Sequence, residues 1–110
     1  MTVSEFIHKT NLKVLTKSEF LDREINGCYV GDLLSWVMGR AEQDNVWITI
    51  MSNINIVAVA ALVDMSCIIL AEGVAVDDEV IKKADEQGII ILSTEKTCYD
   101  MAIDFYNITK

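Results

Sequence analysis

The second half of the chain alternates short apolar runs with segments whose apolar residues recur at helical spacing. The runs cover residues 46–50, 67–70 and 89–92, and they begin 21 or 22 residues apart. That interval fits a strand, a helix and two short loops. Because continuous apolar runs are typical of strands covered on both faces, we expect a parallel sheet. The pattern predicts an α/β fold, a three-layer sandwich with a mainly parallel sheet built from βα units.

Three helices are predicted between and after these strands. In the first, over residues 54–65, apolar residues recur at i, i+3, i+4, i+7, i+8 and i+11, and Ser52 is placed to cap it. The second follows the acidic residues 77–79 and ends at Gly88. The third runs from about Glu95 to Asn107, with Cys98, Met101, Ala102 and Phe105 facing inward.

The first half of the chain is less regular. Thr2 and Glu5 form a capping box that predicts a helix over residues 2–10. Residues 12–15 and 25–30 are expected to form strands, and Asp32 is expected to cap a helix that ends near Ala41. Since no linker composition interrupts the sequence, we expect residues 1–110 to form a single domain.

The helix predicted over residues 54–65 is apolar on every side. Besides its inward stripe it carries Ile56, Val59, Ala60 and Val63 on the remaining face. A helix that is apolar all round must be covered all round, either by the N-terminal segment or by a second subunit. Because symmetric homodimers are the commonest oligomers, we favour a homodimer whose interface contains these four residues.

Composition restricts the partners and the compartment. The chain has 17 acidic and 9 basic residues, and its net charge of −8 repels nucleic acids and anionic membranes. The N-terminus lacks the pattern of a signal peptide, and the most apolar stretch is shorter than the ~20 residues that span a bilayer. Cys28, Cys67 and Cys98 are odd in number and far apart. We therefore expect reduced thiols and a cytoplasmic protein.

Sequence motifs for catalysis are missing. There is no phosphate-binding loop, dinucleotide fingerprint, zinc-protease motif or serine nucleophile elbow. His8, the only histidine, is expected on the exposed side of the first helix. The acidic residues 77–79 are explained by the dipole of the helix that they begin. We expect no enzyme, no metal and no cofactor.

Small polar residues follow the predicted strands. In an open parallel sheet, ligands bind outside the carboxyl ends of the strands, and the candidate ligand-binding residues there are Ser52, Asn53, Asn55, Ser93 and Thr94. Their hydroxyl and amide groups suit a neutral or mildly anionic small molecule. Ordinary helix capping gives the same pattern, so both interpretations stay open.

Several segments resemble the stand-alone DRTGG-domain proteins of anaerobic bacteria. The likeness is carried by residues 29–35, 46–50, 55–62, 86–89 and 92–94, and so extends over nearly the whole chain. Similar domains accompany HPr kinase/phosphorylase, phosphotransacetylases and pyrophosphatases with CBS modules, and the sheet is similar to that of the N-terminal domains of Mur ligases. The resemblance implies a non-catalytic α/β domain with a regulatory or dimer-forming role.

Two positions depart from the family pattern. Asp22 and Arg23 are followed by Glu24, so the five-residue run that names the family is absent, and residues 51–53 read Met-Ser-Asn where several relatives have Gly-Asp-Arg. A ligand contact by that arginine is therefore not expected here. We predict a regulatory or scaffold domain that acts through homodimerisation or protein contact. The alternative is a sensor that binds a nucleotide or metabolite at the strand ends.

Overall fold

The computed structural model describes residues 1–17 and 21–110, and within these it contains five helices and five strands. In chain order they are α1 Val3–Thr10, β1 Lys13–Val14, β2 Cys28–Val30, α2 Leu34–Arg40, β3 Val46–Thr49, α3 Asn55–Val63, β4 Cys67–Leu70, α4 Asp78–Gln87, β5 Ile91–Ser93 and α5 Cys98–Thr109. The predicted α/β class is confirmed. None of the helices in these two parts of the chain is long and apolar enough to cross a membrane.

The strands form one sheet in the order β1-β5-β4-β3-β2. Strands β2 to β5 run parallel to one another, and β1 pairs antiparallel with β5, with Val14 opposite Leu92. Just after β1, the backbone N–H of Leu15 donates to the carbonyl of Ile91 at 2.9 Å. The sheet is therefore mainly parallel, as predicted. Its central strands β3 and β4 are buried along their whole length.

Helices cover both faces of the sheet and complete the predicted three-layer sandwich. Trp47 and Ile68 point toward α2, α3 and α4, whereas Ile48 and Ile69 point toward α1 and α5. Successive side chains of a strand point to opposite faces, so one apolar run of sequence supplies both halves of the core. This explains why the buried strands show no polar alternation.

Helix α3 is rotated relative to the prediction from the sequence. The four residues assigned to a subunit interface face the core instead: Ile56, Val59 and Ala60 are buried, and Val63 is half-buried against the same cluster. Leu62, expected to face inward, is 73% exposed. The interface prediction was therefore wrong for these four residues. Helices α2 and α4 flank α3, whereas α1 lies on the other face of the sheet.

Two of the predicted helix caps are also wrong. The capping box of Thr2 and Glu5 is confirmed. Helix α2, however, begins after Leu33 and α3 begins after Ile54, both without a side-chain cap, so neither Asp32 nor Ser52 caps a helix. Helix α5 starts at Cys98 rather than near residue 95, and the Thr97 hydroxyl caps it by accepting from the N–H of Asp100.

An ion-pair cluster closes the end of the sheet at which β3 and β4 begin, which we call the amino edge. The Arg23 guanidinium donates to the carboxylates of Asp44 at 2.9 Å and Asp64 at 2.8 Å. Asp44 and Asp64 each have a positive φ, 65° and 64°, in the turns that lead into these strands. One cation thus joins two turns that are distant in sequence.

Candidate functional site

The opposite end of the sheet, at which the parallel strands finish, is called the carboxyl edge. It is formed by residues 31–33, 50–54, 71–73 and 94–96, which follow β2, β3, β4 and β5. Ser52 and Asn53 lie after β3, Asn55 is the first residue of α3, and Ser93 and Thr94 lie at the end of β5. Because parallel strands finish at the same side of a sheet, all five candidate residues belong to this edge.

The candidate residues nevertheless fall into two groups. Strand β4 lies between β3 and β5, so the loop with Ser52 and Asn53 is about 10 Å from the loop with Thr94, given about 4.8 Å between neighbouring strands. The Asn53 side-chain oxygen accepts from the N–H of Asn55 at 2.9 Å, and the Thr94 hydroxyl accepts from the N–H of Lys96 at 3.2 Å. Asn53 and Thr94 thus each stabilise a local turn.

Asp32 links the first two loops of the carboxyl edge. One of its carboxylate oxygens accepts from the Thr49 hydroxyl at 2.8 Å and from the backbone N–H of Ile50 at 3.0 Å. Thr49 is fully buried, and its hydroxyl also accepts from the N–H of Met51 at 3.1 Å. This link between two loops could not be predicted from the sequence, because an acidic residue just before a helical segment is usually interpreted as a helix cap.

The last two loops bring further acidic side chains to this edge. The N–H groups of Glu72 and Gly73 donate to the carbonyls of Lys96 and Thr94 at 2.8 and 3.0 Å. Gly73 has a φ of +65°, and a Cβ at this position would collide with the Glu95 carboxylate. The left-handed backbone favours glycine here, and the absence of a side chain leaves room for the Glu95 carboxylate.

The carboxylates make the carboxyl edge electronegative. Burial, together with the charges of Asp32 and Glu72, raises the pKa of the Cys98 thiol. The nearby ammonium group of Lys96 pairs with Asp104 of α5. Burial is the larger cause of this shift, and the two charges act in the same direction. Negative charge that disfavours a thiolate also disfavours a phosphate group. By charge alone, these carboxylates favour a neutral or cationic group over a polyphosphate.

The thiols of the core have no nucleophilic character. Burial raises the pKa of Cys28 and Cys67 to about 12, so both stay protonated near neutral pH. His8 is exposed on α1, as predicted. Within residues 1–17 and 21–110, no three His, Cys, Asp or Glu side chains group as metal ligands would.

Large apolar side chains are exposed at several places on the helices and loops. Near the ends of β2 and β3 they are Val30, Leu33, Ile50 and Ile54, on α2 and α3 they are Trp36, Met38 and Leu62, and on α5 they are Tyr99, Ile103 and Tyr106. Trp36 is 54% exposed, and the Arg40 guanidinium lies 3.9 Å from its ring centre. Trp47, by contrast, is fully buried.

Comparison with known proteins gives one family and one informative solved structure. The DRTGG domain profile matches residues 5–104. The crystal structure of the CBS and DRTGG domains of the regulatory region of Clostridium perfringens pyrophosphatase, complexed with its activator diadenosine tetraphosphate, superposes with a TM-score of 0.74 at 12% identity. The match covers 93% of this chain and 44% of that one. A search of curated proteins finds no match.

The two comparisons support different conclusions, one about the fold and one about the family. At 12% identity the solved structure shows a shared fold, and this chain spans less than half of its length. The profile match extends over nearly the whole sequence, and the segments that resemble DRTGG proteins form strands and helices of that fold. The chain belongs to the DRTGG domain family.

Proposed function

We propose that this protein is a non-catalytic regulatory domain that acts by pairing with a second copy of itself. The family is one of regulatory domains, and the DRTGG domain of the C. perfringens pyrophosphatase is part of that enzyme's regulatory region. The buried thiols are protonated and the single histidine is exposed, which supports a role in contact rather than in covalent chemistry.

The observation that carries this proposal is the apolar surface of the α2–α3 layer. Leu33, Trp36 and Ile54 are each more than 40% exposed, and Leu62 is 73% exposed. Helices α2 and α3 pack side by side on one face of the sheet. Single exposed apolar residues are normal on monomers, but several on adjoining elements are typical of an interaction surface. A second copy would remove these side chains from water.

Sedimentation velocity over a wide range of protein concentration tests the self-association. We expect a species with twice the mass of the chain at high concentration and a single-chain species after dilution. A chain that stays monomeric at the highest concentration would contradict the proposal. Charge repulsion between two chains of net charge −8 is screened by salt, so the dimer is expected to strengthen as ionic strength rises.

A sensor of small molecules is the second candidate function. It is favoured by the nucleotide activator in the C. perfringens structure and by the position of Ser52, Asn53, Asn55, Ser93 and Thr94 at the carboxyl edge. The activator of that structure is diadenosine tetraphosphate, whose phosphates the carboxylates of this chain would repel. For this chain we therefore propose a nucleoside or another metabolite without phosphate as the ligand class. The hydroxyl and amide groups would then donate to and accept from its polar atoms.

A thermal-shift screen with matched nucleosides and nucleotides tests the sensor function. Ligand at 100 times its dissociation constant adds roughly 2.7 kcal/mol to the stability, which raises the Tm by several degrees. We expect the shift from the nucleoside and its loss in the double variant Ser52→Ala, Thr94→Ala. The control is Ser35→Ala, an exposed position on α2. An unchanged shift in the double variant would exclude these residues.

The cytoplasm is the compartment that we propose. Cys28, Cys67 and Cys98 are free thiols, and free thiols persist where the surroundings are reducing. The net charge of −8 makes nucleic acid and anionic membrane poor partners.

A further inference from the structure

A groove of about 650 Å³ runs between α3 and α4. On the α3 side it is lined by Ile54, which precedes the helix, and by Val57, Ala58, Ala61 and Leu62, with Asn55 as the one polar residue. On the α4 side it is lined by Lys83 and Gln87. Ala58 and Ala61 are exposed, as is Leu62. The groove therefore has an apolar α3 side with small residues at its centre, and a polar α4 side.

The order of large and small residues along α3 is self-complementary. Ile54 and Leu62 lie four residues before and four residues after Ala58, about 6 Å to either side along the helix axis. An antiparallel copy centred on Ala58 would place Ile54 opposite the partner's Leu62. The small side chain at the centre lets two helix axes approach to about 8 Å, the close end of the usual range.

The charges along this groove favour a second copy of the chain. Each copy has a net charge of −8, so pairing requires a surface with few carboxylates. Among the described residues that line the α3–α4 groove there is no Asp or Glu, and Lys83 is the charged one. A second groove, of about 480 Å³, is lined by Asp78, Asp85 and Glu86 together with lysines. Of these two surfaces, the α3–α4 groove brings two copies together with less repulsion.

From the pattern and the charge together we infer that two copies pair antiparallel through α3, with Ala58 at the twofold axis. Each α3 lies in the α3–α4 groove of its partner, and Leu62 packs against the partner's Ile54. The inference rests on the self-association proposed above and specifies its geometry. A twofold axis through a single residue makes every contact occur twice.

The first test is a pair of charge substitutions with equal exposure. Leu62→Glu places a carboxylate inside the inferred interface, whereas Tyr99→Glu alters a side chain that is 74% exposed on the opposite face of the sheet. Because each lost leucine contact counts twice, we expect Leu62→Glu to raise the dimer dissociation constant roughly 100-fold or more. Tyr99→Glu should leave it within a few-fold. Circular dichroism of both variants checks that they fold.

The second test asks whether the twofold axis passes close to Ala58. Facing Cα atoms of two helices whose axes are about 8–10 Å apart come within range of a disulfide. Under mild oxidation Ala58→Cys is therefore expected to form a covalent dimer in high yield. The controls are the unmodified chain, which has Cys28, Cys67 and Cys98, and Lys9→Cys, an exposed position on α1 on the other face.

The outcomes separate the inference from the proposed function. A dimer that survives Leu62→Glu, or that cross-links at Lys9→Cys and not at Ala58→Cys, overturns the α3 geometry and leaves self-association standing. An unmodified chain that is monomeric at every concentration overturns self-association and the geometry with it. Loss of the dimer in Leu62→Glu, its retention in Tyr99→Glu and cross-linking through Ala58→Cys together support the inference.

Discussion

The two ends of the sheet differ in whether their acidic side chains form ion pairs. At the amino edge, Asp44 and Asp64 converge on the guanidinium of Arg23. At the carboxyl edge, Asp32, Glu72 and Glu95 lie in the loops after β2, β4 and β5, and the neighbouring Lys96 pairs with Asp104 instead. Both edges are rich in carboxylates, but within the described parts of the chain only those of the amino edge form ion pairs with a cation. The difference indicates that Arg23 links two turns of the fold at the amino edge, whereas negative charge accumulates in the loops of the carboxyl edge.

The geometry of the amino edge supports its structural role. The Arg23 side chain is 24% exposed, so solvent screens its ion pairs only in part. It also donates to the backbone carbonyl of Asp64 at 2.5 Å, and the Gln43 side chain donates to the Asp64 carboxylate at 2.9 Å. A planar guanidinium can bridge several acceptors in this way, which an ammonium group does less well.

Arg23→Met removes the cation from the amino edge and has the largest expected effect. Two carboxylates and a carbonyl would then face one another without a donor, and we expect the free energy of unfolding in urea to fall by about 2 kcal/mol. The control is Arg40→Met, which removes only the contact with Trp36 and should cost about 0.5 kcal/mol. Equal losses in the two variants would show that the ion pairs at Arg23 contribute nothing specific.

Asp32→Ala and Asp32→Asn test the carboxyl edge, where the expected losses of stability are smaller. Alanine leaves the buried hydroxyl of Thr49 and the N–H of Ile50 without their acceptor, at a cost of about 1–2 kcal/mol. Asparagine keeps an acceptor oxygen and removes a negative charge, so its loss of stability should be the smaller of the two. If asparagine were as costly as alanine, the charge of Asp32 would be structural, and the contrast between the edges would fail.

The alkylation rate of Cys98 depends on the negative charge at the carboxyl edge. A change in this charge is expected to have the smallest effect of the three. Burial and the charges of Asp32 and Glu72 raise its thiol pKa, and removal of one negative charge favours the thiolate. Asp32→Asn should therefore move the pH profile of Cys98 alkylation to lower pH and speed the reaction at pH 8. Peptide mapping by mass spectrometry distinguishes Cys98 from the fully buried Cys67, whose alkylation in the folded protein should stay slow. An unchanged profile would mean that the charge of Asp32 does not contribute to this pKa.

The sequence determined much of the fold because its strongest signals are local. The short, β-branched run at residues 67–70 favours a covered strand, and Thr2 with Glu5 sets the start of α1. Which side of α3 is buried could not be predicted from local signals of this kind. Since residues 56–63 are all apolar, they give no clear periodic signal, and the neighbouring helices α2 and α4 decide which side of α3 is buried.

The candidate site was predictable only as a location. Parallel strands bring Ser52 and Thr94 to one edge, which follows from topology alone. The bond from Thr49 to Asp32 and the approach of Glu95 to Gly73 depend on how loops far apart in sequence meet. Hydrogen bonds of this kind leave no periodic pattern, and the electronegative character of the edge emerged only from the assembled loops.

The pairing of β1 with β5 affects how the protein folds as it leaves the ribosome. β1, near the start of the chain, has β5 as its partner, and their register joins Val14 to Leu92. The whole stretch from Val14 to Leu92 must therefore be synthesised before that edge of the sheet can close. Contacts between residues so distant along the chain form slowly. Until then the apolar side chain of Leu12, which is buried in the finished protein, remains open to chaperones and to aggregation.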